Sequence, residues 1–264
     1  MKLSVLHLNI ERDNHTDAVV HLLEEKKPDV VCFEEAMLRE VKIMASKLGY
    51  EWAFTPMVAI KEDKEGPAIL SRFPIQKTKE YRYDDNKSEE LPRRAKDDVL
   101  SKGDKRPEDR FQYFSTLLAV FLKCPDNSLV TVATTHFPVT DHSTPGLHDH
   151  EFNNINEVGE IEYTRGYLDR LIPIIRELNE PIIFTADVNN TRGEYVYDAL
   201  AHELIDIVPQ TLVSSIDPTL HRKPNLKLMV DTIMVSPSVS VKNFEVIEGV
   251  SDHKAFFTTL DFLS

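Results

Sequence analysis

The sequence has little that would staple it, anchor it in a membrane or draw it to polyanions. It holds two cysteines in 264 residues, Cys32 in "DVVCFEE" and Cys124 in "FLKCPDN". Their spacing offers no zinc site and no disulfide framework. They read as free buried thiols in a reducing compartment, and a cytoplasmic protein is expected. No apolar run approaches the roughly 20 residues that span a bilayer. The opening "MKLSVLHLNIERD" superficially suggests a signal peptide. His7, Asn9, Glu11, Arg12 and Asp13 interrupt it before an apolar core of about 7–15 residues can form, and no small-residue cleavage site follows. It reads as a first strand, with the mature chain beginning at Met1. Positive charge is also scarce: 31 Lys and Arg stand against 44 Asp and Glu, a formal net charge of −13. That excludes the broad basic field of a non-specific duplex binder, although a local site or a metal can still supply positive charge.

What is present is an ordinary globular composition, 41% hydrophobic and 28% charged. The length allows one large core, and no composition shift marks a domain boundary, so a single domain over residues 1–264 is expected. "KLSVLHLNI" alternates as a strand. "TDAVVHLLEEKK" has apolar residues at helical spacing until Pro28 stops it. "DVVCFEE" is a short buried strand, "LREVKIMASKLGY" a helix closing at Gly49, and "GPAILSRFPI" a strand. "FQYFSTLLAVFLK" and "SLVTVATTHF", joined by "CPDN", form a β-hairpin. A helix over "EIEYTRGYLDRLIPIIREL", a buried strand "PIIFTADV" and a short helix "GEYVYDAL" follow. "KLMVDTIMVS", "VKNFEVIE" and "KAFFTTLDF" finish the chain as strands. Polar loops occupy residues 79–110 and 138–160. Strand–helix–strand order occurs once in each half, which predicts two sheets packed face to face with helices outside, an α/β (α+β) fold.

Polar residues close or interrupt these apolar runs. They are Asn9 in "HLNI", Glu35 in "FEE", His136 in "TTHF", Asp187 and Asn189 in "TADVNN", Asp231 in "VDTI", and the pair Asp252 and His253 in "SDH". Each alone is an ordinary strand-end residue. As an ordered set they resemble the endonuclease/exonuclease/phosphatase superfamily of metal-dependent phosphodiesterases. "PDVVCFEE" stands for the family's strand ending in Gln-Glu and "GPAILSRFPI" for its Ala-Ile-Leu-Ser-Arg-aromatic-Pro-Ile stretch. "TTHF", "ADVN", "VDTI" and the C-terminal "SDH" complete it, from about residue 3 to 262. The chain departs from the pattern at Glu34, where Gln is usual, at Ala186, usually Gly, and at Thr232, usually aromatic. Glu34 is expected to add a carboxylate beside the metal ligand.

The resemblance implies a four-layered α/β/β/α sandwich of two mainly antiparallel sheets. It also implies a magnesium-dependent hydrolase of phosphate esters, with manganese a workable substitute. Glu35 would be the principal metal ligand. Asn9 would lend its amide oxygen, and Asp252 would ligate the metal or orient its water. His253 would contact the scissile phosphate, with Asp231 holding its ring from behind. Asp187 would accept a proton from the attacking water. Asn189, read as facing the same side of an extended segment, would donate to a phosphate oxygen. His136 would make a second phosphate contact and serve as acid for the leaving oxygen.

Other residues have simpler readings. His142, His148 and His150 sit in an irregular loop without a fourth zinc ligand. Arg93, Arg94 and Lys96 lie in a charge-balanced stretch. Arg72 anchors a turn, Arg165 makes a helix-start salt bridge, and Trp52 is core. A nuclease or DNA-end-processing repair enzyme is the alternative on the same fold. A catalytically silent binding module would have lost one of Glu35, Asp187, Asn189 or His253, and all are present. The loops carry neither a basic stripe nor a row of aromatics. The expected substrate is therefore a small soluble ester or a nucleic-acid end, acted on by a monomer.

Overall fold

The computed structural model describes residues 1–60, 63–84, 112–113, 115–138 and 157–262. Most of the two polar loops lies outside them, and with it Arg93, Arg94, Lys96, His142, His148 and His150. The elements run β1 (Lys2–Asn9), α1 (Thr16–Lys26), β2 (Val30–Met37), α2 (Leu38–Leu48), β3 (Glu51–Phe54), β4 (Val58–Ile60), β5 (Asp63–Ser71) and β6 (Ile75–Arg82). Then come β7 (Gln112–Tyr113), β8 (Thr116–Lys123), β9 (Leu129–His136), α3 (Glu157–Arg176), β10 (Ile182–Asp187) and α4 (Tyr195–Glu203). The chain finishes with β11 (Ile205–Asp206), β12 (Asp231–Val235), β13 (Val239–Ile247) and β14 (Ala255–Phe262).

Among the described residues these strands form two sheets. One has the order β13-β14-β1-β2-β5-β4-β7, with β3 also pairing β5; the other runs β11-β12-β10-β9-β8-β6. Pairing is antiparallel except at β1–β2 and β9–β10, which are parallel. Parallel neighbours need a crossover, and α1 and α3 lie in the two connections. The carboxyl ends of four central strands, β1, β2, β9 and β10, thereby come to one edge of the sandwich.

Period-2 alternation assigns each strand two faces. In β1, Leu3 and Val5 pack between the sheets, while Leu6 and Leu8 face α1 and α2. In β10, Ile183 faces the partner sheet, while Ile182 and Phe184 pack on α3 and α4. Layers of helix, sheet, sheet and helix result, as the sequence implied.

Local chemistry ends the elements where expected. Gly49 takes φ 73° after α2 and donates its N–H to Ala45, a left-handed cap that suits glycine. Gly66 is required for a different reason. A Cβ there would lie 2.1 Å from the Thr55 carbonyl, where the β3–β4 edge kinks past β5. Arg72 anchors its turn as predicted, donating to the Lys27 carbonyl and lying over the Tyr50 ring.

Two expectations are corrected. Trp52 is not core. Alternation in β3 sends Ala53 between the sheets and turns Trp52 outward, 39% exposed, beneath Lys42 of α2. The strand expected over "KLMVDTIMVS" starts only at Asp231. Before it, Leu228 and Val230 bond to Ser215, and Met229 and Val230 bond to the turn that follows β10. Leu226, Leu228, Val230 and Ile216 pack there as a small cluster of their own.

Candidate active site

Strand register gathers the predicted residues. Asn9 pairs with Glu34 across β1–β2. Asp187 pairs with His136 on one side and Asp231 on the other. His253 lies just before β14, which pairs with β1 through His7 and Phe256. Asn9, His136, Asp187 and Asp231 share the inward-facing register of their strands, so all meet at the same end of the space between the sheets.

Glu35 arrives there by a local irregularity. Phe33 pairs with Ala68 and Ala36 with Gly66, leaving Glu34 and Glu35 opposite Pro67 alone. The extra residue is a β-bulge, a device that re-aims a side chain. Glu35 adopts φ 53°. A non-glycine residue held there costs of order 1 kcal/mol or more and marks a position the surroundings over-determine. Its carbonyl accepts the Arg12 N–H, which ties the loop after β1 to the bulge.

Asp187 is held at both oxygens. Oδ2 accepts Asn9 Nδ2 at 3.0 Å, and Oδ1 accepts the Asn189 backbone N–H at 2.9 Å. Asn9 Nδ2 also lies 3.4 Å from Glu35 Oε1, and Asn9 Oδ1 accepts the Glu11 N–H. The amide nitrogen of Asn9, not its oxygen, therefore faces the two carboxylates.

Asn189 is not on an extended segment as the sequence suggested. The chain turns immediately after Asp187, and Asn189 takes φ 48°, a conformation asparagine tolerates well. The Asx-type bond from its own N–H to Asp187 produces the turn. Its Nδ2 donates to the Phe137 carbonyl at 2.9 Å and to His136 Nε2 at 2.6 Å. A carbonyl only accepts, so this atom must be the amide nitrogen and His136 Nε2 an acceptor. The His136 proton then sits on Nδ1, which faces Glu35 Oε1 at 3.9 Å.

His253 Nδ1 lies 2.7 Å from Asp231 Oδ2 and 3.9 Å from Asp187 Oδ2. Burial would lower the His253 pKa, but the Asp231 charge and hydrogen bond overcome it and hold it well above the ordinary value. Burial would likewise raise Asp231. The charge and hydrogen bond of His253, with those of His7, keep that carboxyl well below the usual range. The ring is thus gripped at Nδ1, leaving Nε2 as the nitrogen a substrate can meet.

Among the described residues, two sets of groups could hold a cation. Asp187, Asp231 and His253 present ligand atoms within 4.8 Å of one another. Every one of their contacting atoms named above already meets a hydrogen-bonding partner. The second set is Glu35 with Asp252. The Asp252 carboxyl is pushed up to about 6, first by burial and then, against the pull of His253, by the charges of Glu11 and Glu35. Burial and then the charge of Glu35 also raise Glu65, despite its bond from Arg12. Hard oxygen donors whose charges crowd together in this way fit a divalent cation.

Several participants escaped the sequence reading. Glu34 does not join Glu35. It is fully buried between the sheets and accepts the Thr134 hydroxyl. Its other oxygen lies 3.3 Å from His7 Nδ1. His7 shares the face of Leu3, Val5 and Asn9, so period-2 alternation was the signal that could have found it. Glu11, Glu65 and His221 had no local signal. His221 is half-buried in the segment joined to the His253 turn through Asp217 N–H and the Asp252 carbonyl, 2.8 Å apart. Arg165 is exposed within α3 rather than at its start.

Comparison with solved structures gives the same architecture. A protein of this family from Bacteroides thetaiotaomicron superposes with TM-score 0.69 at 19% identity, covering 99% of this chain and 98% of the other. A mannosyl-6-phosphatase from Bacteroides thetaiotaomicron gives 0.64 at 20% identity, covering 98% and 100%. The human Nocturnin catalytic domain, with a bound sulfate anion, gives 0.65 at 16%, covering 99% and 94%. No curated protein sequence matches the chain. The profile of the Endonuclease/Exonuclease/phosphatase family matches residues 6–253, and the chain belongs to that family.

Proposed function

We propose that the protein hydrolyses phosphate esters with the help of a divalent cation, magnesium by preference and manganese in its place. The observation that carries this reading is the Asp231–His253 pair at 2.7 Å, facing Asp187 across the end of the sandwich. Glu35 and Asp252 would hold the ion; Asn9 would join them with its amide oxygen only by turning its amide over, giving up its bonds to Asp187 and Glu11. A bound cation would neutralise phosphoryl charge and favour the leaving oxygen.

The chain's own groups divide the remaining work. Asp187, fixed at both oxygens by Asn9 and Asn189, takes a proton from the attacking water. His253 presents Nε2 to the phosphate, and Asp231 fixes its tautomer. His136 presents Nδ1–H as a phosphate contact; to serve as the proton source for the leaving oxygen it would first take a proton at Nε2, in exchange for the Asn189 bond. Asn189 has both amide hydrogens engaged, so it orients His136. It reaches a phosphate oxygen only by exchanging that bond.

The acidic composition favours a small soluble ester over long duplex nucleic acid. The test is a panel of sugar phosphates, inositol phosphates, cyclic dinucleotides, nucleic-acid ends and sphingomyelin, assayed with magnesium. Turnover of a small ester that stops with chelator supports the proposal. Turnover that is undiminished by chelator overturns its metal-assisted mechanism, and preferential cleavage of long duplex DNA overturns the substrate class.

A further inference from the structure

Below the groups that face the substrate lies a buried polar chain that the proposed reaction leaves unexplained. His7 sits in the middle of it with no exposure. Its Nε2 is 3.0 Å from Asp231 Oδ1 and its Nδ1 is 3.3 Å from Glu34 Oε2. Glu34 accepts the Thr134 hydroxyl, which in turn accepts the Thr185 hydroxyl at 2.7 Å. The bond at His7 Nε2 is well formed, while His7 Nδ1 and Glu34 Oε2 meet only as a buried charge contact; an unpaired buried group costs about 1–3 kcal/mol.

The proton positions follow from the acceptor at the centre. Asp231 meets an imidazole nitrogen at each oxygen, His253 Nδ1 at 2.7 Å and His7 Nε2 at 3.0 Å, and a carboxylate set between two ring nitrogens serves as the acceptor. Both imidazole nitrogens that meet it must therefore carry hydrogen: His253 Nδ1 at Oδ2 and His7 Nε2 at Oδ1. This holds whether the proton between His7 Nδ1 and Glu34 resides on the ring or on the carboxyl. Asp231 is thus clamped from both sides, and the clamp behind it is His7.

We propose that His7 is a positioning residue for the phosphate-facing histidine, acting through Asp231, with Glu34 and Thr134 holding His7 in turn. The proposal deepens the hydrolase reading and rests on it for its kinetic consequence. A carboxylate with one N–H donor on each oxygen cannot rotate without losing a bond. It therefore presents Oδ2 to His253 in a single orientation. The glutamate at position 34, where the family resemblance led to glutamine, places a carboxylate oxygen 3.3 Å from the second ring nitrogen of His7, a buried charge contact rather than an aligned hydrogen bond.

The test uses His7→Leu, which removes both ring nitrogens, and His7→Gln, which retains an N–H donor. Two readouts are taken on the full chain. One is magnesium-supported hydrolysis of bis(4-nitrophenyl) phosphate, resolved into kcat and KM. The other is 15N spectra of histidine-labelled, metal-free protein, which report ring protonation without any turnover. His7→Leu is expected to lower kcat about tenfold with KM nearly unchanged, the low end of the effect of losing a group that orients a site residue from behind. His7→Gln should recover most of that loss. On an Asp231→Asn background, His7→Leu should cost nothing further. In the spectra, wild type should show His7 protonated at Nε2 and His253 protonated at Nδ1. His7→Leu should move only the His253 signals among those two rings' partners. A folded His7→Leu protein with kcat within about twofold of wild type overturns the proposal, as does a His7→Gln loss equal to that of His7→Leu. If His7→Leu does not fold, the wild-type spectrum decides, and a His7 ring bare at Nε2 overturns it. Absence of hydrolysis by wild type would sink the hydrolase reading alone, leaving the spectra to judge the clamp.

Discussion

Leu3, Val5, Val30, Cys32, Val132 and Ile183 fill one end of the space between the two sheets. His7, Asn9, Glu34, Thr134, His136 and Asp187 fill the other, on the same strands. Each strand changes character along its inner face: Leu3-Val5-His7-Asn9 in β1, Val132-Thr134-His136 in β9, Ile183-Thr185-Asp187 in β10. The apolar end gains stability by removing surface from water, at about 25 cal/mol per Å². The polar end gains little from burial and must satisfy each donor and acceptor instead. The two ends divide the labour along each strand, with stability concentrated at one and the proposed chemistry at the other.

The first way to break that comparison is to remove the cation proposed for the polar end. Chelator should abolish hydrolysis of bis(4-nitrophenyl) phosphate, and magnesium or manganese should restore it. Activity that persists in chelator would mean that Glu35 and Asp252 do something other than hold an ion. The thermal transition should shift far less than the activity, because the apolar end is untouched.

Ile183→Ala strikes the apolar end. It should lower stability by about 2–5 kcal/mol, the usual cost of such a deletion in a packed core, measured by urea unfolding. Turnover per folded molecule should stay near wild type. A large loss of kcat would show that the two ends are coupled mechanically.

His253→Ala is the reverse case. Turnover should fall about a hundredfold, about 2.7 kcal/mol of barrier, while the midpoint of unfolding moves little. Asp231→Asn should cost less, since the imidazole remains. The double variant should be scarcely worse than His253→Ala, because the two act as a unit. Single-turnover rates at saturating magnesium check this, and additive losses would dissolve the pair.

The smallest effect is expected outside both ends. Trp52→Ser removes a half-exposed ring at the foot of α2 and should change stability by no more than about 0.5–1 kcal/mol, with turnover unchanged. A larger loss would return Trp52 to the core assigned to it from sequence.

Much of this was legible without coordinates because it rests on periodicity and on order. Alternation in β1 and helical spacing in α1 and α2 are local, and the layered sandwich follows from them. Asn9, Glu35, His136, Asp187, Asn189, Asp231, Asp252 and His253 were legible as strand-end residues in a recognisable order. Their tautomers and hydrogen-bond roles were not. Asn189 could not be seen to turn away from its strand, because the bond from its N–H to Asp187 depends on where that carboxylate is pinned. Nor could Asn9 be seen to turn its nitrogen inward, since that depends on two carboxylates from β2 and β10.

By itself the sequence determined which residues alternate, where elements stop and which side chains can carry charge, since these depend on neighbours a few positions away. Only the tertiary structure decided what His7 and Glu34 do. His7 finds Asp231 across a separation of 224 residues, and Glu34 finds Thr134 across 100. No local pattern encodes which of several polar inward positions will meet. The register of β1 against β14 and of β10 against β12, with the face-to-face packing of the two sheets, brings those groups within hydrogen-bond distance. Burial then leaves them no partner but each other.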